Sequence, residues 1–157
     1  MLDIYTDRYS DYIYSVAGVL GIDAIEADLM FDFEKKLDAD AGGYCFGDKE
    51  SVEIQIATHV QGEKLSEDTI LQNIAHEMIH AQQIFTGRLQ DLGLQLASAG
   101  DVQTLVKATI WEDETYTNTP YDDQPWEQEA YGREADVKIE ALELLAKQTV
   151  QRNIQYA

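Results

Sequence analysis

A single cysteine, Cys45, leaves the chain with no internal disulfide and no paired-cysteine zinc knuckle. An unpaired thiol suits a reducing compartment. Basic residues are scarce as well. The 11 Lys and Arg stand against 30 Asp and Glu, a formal net charge of −19. So acidic a surface repels phosphate backbones and anionic lipid heads, which argues against nucleic acid and membrane as partners. A nucleic-acid-mimicking decoy would need its acids aligned in a stripe, whereas scattered acids serve solubility. No apolar run is long enough to cross a bilayer. Residues Met1 to Arg8 show no basic stretch followed by an apolar one, so no signal peptide is expected and a cytoplasmic protein is. There are only two prolines, and no Pro/Gly/Ser-rich linker or repeat divides the chain. One domain over residues 1–157 is the expectation.

What is present points to a globular α+β fold. The apolar fraction is 45%, with nine Tyr. Tyr9, Tyr12, Ile13, Val16 and Leu20 recur at helical spacing, and Gly21 follows as a stop. Leu29, Phe31 and Phe33 alternate with Met30, Asp32 and Glu34, the period of a half-buried strand. Tyr44 and Phe46 predict a second strand, and Val52, Ile54 and Ile56 a third. The period then changes. Ser66 is a good helix N-cap, Glu67 and Asp68 suit the first turn, and Leu71, Ile74, Ala75, Met78 and Phe85 form an apolar stripe up to Gly87. Residues 88–124 are expected to be largely loop, with short helices near Leu92–Ala97 and through Leu105, and Thr109–Trp111 extended. Pro125 suits the first turn of a last helix running from about Trp126 to Gln148, with Ala130, Val137, Ala141, Leu144 and Leu145 inward. The order is helix, a small three-stranded sheet, helix, loop, helix.

The chemistry concentrates at His76-Glu77-Met78-Ile79-His80. Positions i and i+4 share one helix face, so both imidazoles reach a single ion. Neutral imidazole suits Zn2+, and the carboxylate beside the first ligand can take a proton from water. Of only three histidines, two fall in this motif, and chance alone gives the pattern at roughly the percent level. His59 reads as an ordinary loop residue. A catalytic zinc site usually takes three protein ligands. No histidine follows His80, so a later carboxylate is the natural third. Glu127 and Glu129, in Pro125-Trp126-Glu127-Gln128-Glu129-Ala130, are the candidates, with Glu127 favoured. Either could instead merely complement the helix dipole.

His-Glu-x-x-His on a central helix, after a small sheet and before a carboxylate on a later helix, resembles the gluzincin metallopeptidases. More narrowly the pattern is similar to SprT-like and other minimal zincin domains. His76 to Gln83, the later Trp111, and Pro125 to Tyr131 look like small metallopeptidase-like proteins encoded by bacteriophages. The overlap covers roughly Val52 to Glu134. Glu127-Gln128-Glu129-Ala130 matches the opening of the family's third-ligand pattern, but Tyr131 stands where an Asp or Asn often orients the first histidine. A backbone carbonyl or Asn73 would then have to serve. The resemblance implies a zincin-like fold and a zinc peptidase acting on a peptide or protein substrate. His76, His80 and Glu127 would be the ligands and Glu77 the general base. It also implies that the strand Val52–Ala57 is an edge that pairs with an extended peptide. Tyr116, Tyr121 and Tyr131 are candidate oxyanion donors, Tyr121 first because it lies just before the third ligand.

Two rivals follow from the same residues. A deformylase-like amide hydrolase would use the upstream Cys45 as third ligand, although Gly43-Tyr44-Cys45-Phe46-Gly47 lacks that family's Glu-Gly-Cys pattern. A non-catalytic, zinc-stabilised interaction or virion-associated module would not need Glu77. Substrate identity and oligomeric state have no signature in the sequence.

Overall fold

Ser66 opens the central helix as its sequence suggests. Its side chain accepts from the Thr69 backbone N–H, and helix Glu67–Phe85 follows. A computed structural model describes residues 1–155 of the chain. It contains β1 (Asp3–Tyr5), α1 (Ser10–Leu20), β2 (Asp28–Glu34), β3 (Gly43–Gly47), β4 (Ser51–Ala57), the two-residue strands β5 (His59–Val60) and β6 (Glu63–Lys64), and α2 (Glu67–Phe85). Then come β7 (Leu89–Ala99), β8 (Val102–Trp111), β9 (Glu114–Thr117) and α3 (Pro125–Gln155). The architecture is mixed α+β, with three helices and several small sheets among the described residues.

The main sheet has four strands in the order β1-β2-β4-β3. The first three run parallel, and β3 turns back antiparallel onto β4. Alternation along β4 buries Val52, Ile54 and Ile56 completely in the core, with α2 packed on the strand. On α2 the apolar stripe Ile70, Ile74, Ala75, Met78 and Ile79 meets that face. Burial of aliphatic side chains contributes about 1.5–3 kcal/mol each to this seam. Two polar ties fix α1 against α2: Tyr12 OH donates to the Leu71 carbonyl at 2.7 Å, and Gln82 Nε2 to the Leu20 carbonyl at 2.7 Å. The third helix packs on both other helices, and Ala130 and Ala141, with no exposed surface, let it approach closely.

Three expectations are corrected. The sheet has four strands, because Asp3–Tyr5 pairs in parallel with Asp28–Met30. Val52–Ala57 is not an edge: β3 folds back through the turn at residues 48–50 and covers it, so β3 is the edge strand. The region 88–124 holds no helix at Leu92–Ala97 or Leu105. Those residues form a long antiparallel hairpin, β7–β8, which β9 extends to three strands. Gly100 and Asp101 make its two-residue turn, and Gly100 takes φ 63°, a conformation an L side chain resists. Helix propensity of Leu, Ala and Gln loses to this turn and to cross-strand pairing. Among the described residues no helix is long and apolar enough to cross a membrane.

Candidate metal centre

The middle of α2 carries His76, Glu77 and His80, each at least nine-tenths buried. The first turn of α3 delivers Glu127 opposite them. Pro120 and Pro125 bracket the short 3-10 turn Tyr121–Asp123, and the Glu127 and Gln128 N–H groups both donate to the Gln124 carbonyl as α3 begins. Arg88 fastens this end of α3. Its guanidinium forks onto Glu129 at 2.8 and 2.6 Å, also holds Glu112 at 2.6 Å, and lies over the Trp111 ring at 4.6 Å. Arg133 adds a further contact to Glu129. Hydrogen bonds from Arg88 hold the Glu129 carboxyl below its ordinary range. Of the two acids left open by the sequence, Glu129 is therefore consumed in an arginine clamp and Glu127 faces the histidines.

His76 Nε2 lies 3.2 Å from Glu127 Oε2, and His80 Nε2 lies 3.2 Å from Glu127 Oε1. The opposite ring nitrogens are occupied. His76 Nδ1–H donates to Glu134 Oε2 at 2.7 Å, and that carboxylate also accepts from Gln72 Nε2 at 2.8 Å. His80 Nδ1–H donates to Gln83 Oε1 at 2.8 Å. Gln83 is fully buried, and its amide orientation is set by Nε2 donating to the Trp126 carbonyl at 3.1 Å. With Nδ1 so engaged, each ring turns its Nε2 inward toward Glu127.

A metal ion fits this set on two observations. The His80 Nε2 atom is buried and has no well-formed hydrogen bond, although Glu127 Oε1 stands 3.2 Å away. Buried nitrogens are rarely left so. One ligand atom each from His76, His80 and Glu127 also lie within 4.8 Å of one another, the only such His/Cys/Asp/Glu group among the described residues. A tetrahedral ion with bonds of about 2.0 Å has ligand–ligand edges of about 3.3 Å, close to the two 3.2 Å separations.

No protein-family model, curated protein or solved structure matches this chain. The site must be read from its own atoms.

Electrostatics here express crowding of acids around two buried rings. Burial opposes charge on His76, yet its hydrogen bonds to Glu127 and Glu134 and the nearby Glu77 raise its pKa to about 9. His80 is raised too, against burial, by Glu127. Burial pushes Glu127 upward, but the two imidazoles hold it well below the usual carboxylate range. For Glu77 burial wins, and its pKa is pushed up to about 7. A proton on His76 Nε2 and a metal ion compete for one lone pair.

The cluster forms one wall of a cleft of about 620 Å³. The edge strand β3 forms a second wall, and the base of the β7–β9 sheet the third. Gly43 on β3 is needed for space: a Cβ there would stand 2.8 Å from both Cγ and Oε1 of Glu77. Tyr121 lines the cleft, donates to Glu127 Oε2 at 3.0 Å and shares a 3.0 Å hydrogen bond with Tyr131. Tyr131 also packs its ring on His76, with centroids 4.6 Å apart. Tyr116 lines the cleft edge-on to Trp126. His59 sits in β5, bonded to Thr58, away from the cluster. Cys45 lines the cleft on β3 without belonging to the cluster, and burial, then Glu77 and Glu127, push its thiol up.

Glu134 and Gln83 were missed from the sequence. Asn73, suggested as the group that orients His76, packs instead against Gly42. Glu134 follows His76 by 58 residues and reaches it from two helical turns beyond Glu127. Its i, i+7 spacing from Glu127 was the available signal, since that spacing keeps both acids on one face of α3.

Proposed function

We propose that the chain is a zinc-dependent peptidase of the gluzincin type, with His76, His80 and Glu127 as ligands and Glu77 as general base. The observation that carries this reading is the buried trio whose Nε2 atoms are freed by Nδ1 bonds to Glu134 and Gln83. A zinc ion held there would supply Lewis acidity toward a peptide carbonyl and acidify a bound water. Glu77, beside the ligands and with a carboxyl already raised toward neutrality by burial, takes the proton of the attacking water and passes it to the leaving amine. Tyr121 keeps its hydroxyl proton, because burial and Tyr131 raise its pKa. Without substrate that one proton goes to Glu127 and steadies the third ligand, and with substrate it turns from Glu127 to the carbonyl oxygen as charge develops there. The free edge of β3 offers backbone groups to an extended peptide, which places the substrate across the cleft.

A purely structural zinc module would not require an acid at Glu77, and a deformylase-like site with a thiolate ligand would require Cys45 inside the cluster. Neither gains a specific observation. The test is Glu77→Gln: the variant is expected to retain zinc at the wild-type stoichiometry and to lose peptide cleavage. Equal cleavage by the variant would overturn the mechanism.

A further inference from the structure

The β7–β8 hairpin continues past the body of the protein. The third strand β9 pairs only with Ala108–Trp111 of β8, so residues 94–105 form a two-stranded ribbon exposed on both faces. An isolated ribbon of this kind is marginally stable, and exposed aliphatic residues add to its cost. Yet Leu94 and Leu96 are each 68% exposed and Leu105 is 60% exposed. Asp101, at the turn, is the one charged residue between Leu92 and Val106, in a chain of net charge −19.

Register fixes where these leucines point relative to the cleft. Paired residues of an antiparallel ladder share a face, as do positions two apart on one strand. Asp91 pairs with Thr109, and both line the cleft. Lys107, two residues from Thr109, lines it as well. The irregularity between Asp91 and Gly93 preserves this parity, so that Leu94 is the partner of Lys107 and Leu96 that of Leu105. Leu94, Leu96 and Leu105 therefore extend the cleft-facing surface of the sheet outward as a continuous apolar strip.

Resting on the peptidase reading above, the geometry points to this strip as a docking surface for the substrate beyond the catalytic cleft. Its occupant is an extended polypeptide segment rich in apolar side chains and poor in acids. Continuity of the strip with the cleft wall supplies the path from β3 to the ribbon. The acidity of the rest of the chain disfavours a negatively charged segment, whereas the ribbon, which carries only Asp101 at its turn and Lys107 at its base, accepts an apolar one. The ribbon thereby selects unfolded or extended chains over compact proteins, whose apolar side chains are buried.

The experiment measures fluorescence anisotropy of a labelled peptide of alternating Leu and Gln, long enough to run from the cleft to the hairpin tip. The full chain carrying Glu77→Gln, so that nothing is cleaved, is compared with the same chain carrying Leu94→Gln, Leu96→Gln and Leu105→Gln. Sedimentation velocity and thermal melting accompany both. The expected result is binding weakened about tenfold or more by the three substitutions, with an unchanged melting temperature and a sedimentation coefficient that does not fall. A peptide with Glu in place of Leu is expected to bind equally poorly to both. Equal affinity of the two chains for the Leu peptide, or no binding by either, would overturn the proposal. So would a dimer of the parent that dissociates in the leucine variant, since the strip would then serve a second copy. Failure of the peptidase reading is seen separately, as a wild-type chain without zinc or cleavage, and leaves the anisotropy result standing.

Discussion

Replacing Glu134 with Ala should weaken zinc binding by an amount that depends on pH. The carboxylate fixes His76 through a 2.7 Å bond to Nδ1 and is itself held by Gln72 at 2.8 Å. Losing such a partner of a metal-ligating imidazole typically costs about 10–100-fold in affinity, or about 1.4–2.7 kcal/mol. The metal-free state complicates the comparison. There His76 has a pKa of about 9, so zinc must displace a proton at neutral pH. From that one group the penalty is roughly hundredfold at about pH 7 and roughly twofold at about pH 9. Glu134 is one of the groups that raise the His76 pKa, so its removal lowers the penalty and masks part of the loss near neutrality. Competition with a chromophoric chelator at both pH values is the assay. Wild type should gain affinity strongly as pH rises, the variant less so, and the gap between them should widen toward pH 9. Identical affinities at the higher pH would refute the role given to Glu134, and a gap that narrows would refute the proton competition.

Gly43→Ala places a Cβ 2.8 Å from Glu77 Cγ and Oε1, and the atoms nearest that Cβ belong to Glu77 rather than to His76, His80 or Glu127. Displacing the base by a fraction of an ångström should lower kcat for peptide cleavage by about 10–100-fold while zinc content stays at the wild-type value; unaltered turnover would contradict the contact. The metal-free chain should lose stability as pH rises from about 5 to about 9. Glu77 and His76 both have folded pKa values raised above their ordinary 4.5 and 6.5. Their contributions are present below those values and lost as pH climbs through about 7 and about 9. Glu127, held low, contributes above about 4.5 and loses its share only in stronger acid. Melting curves with and without a chelator read this directly, and the zinc-dependent increment should grow over the same range. A metal-free melting temperature that rises toward pH 9 would sink the assignment.

Local signals carried the parts of the fold that a short window contains. The period-three-to-four stripe of α2 with Ser66 at its head, and the period-two runs at residues 28–34 and 51–57, appear where the sequence places them. Sheet order was not legible, because nothing in residues 43–57 says which strand takes the edge; the return of β3 onto β4 decides it. The hairpin of β7 and β8 was misread although Leu92, Leu94 and Leu96 alternate and Gly100-Asp101 is a two-residue turn signal. A ribbon whose apolar face is as exposed as its polar one has neither the burial of a half-buried strand nor the pattern of an amphipathic helix. At the site, the motif gave His76, Glu77 and His80 outright. Glu127 was favoured over Glu129 from the sequence, but what engages Glu129 was not legible there: Arg88, 39 residues upstream of Glu127, reaches α3 only in the folded chain. Gln83 carried no signal of its own, and Glu134 only its i, i+7 spacing from Glu127.

Elemental analysis of the purified wild-type chain, beside Glu127→Ala and Glu129→Gln, bears most directly on the zinc site. About one zinc per wild-type chain is expected, sharply reduced in Glu127→Ala and retained in Glu129→Gln, whose carboxylate belongs to the Arg88 clamp. A wild-type chain that stays zinc-free after zinc is added back, or a Glu127→Ala chain that keeps its metal, would contradict the site and the peptidase built on it.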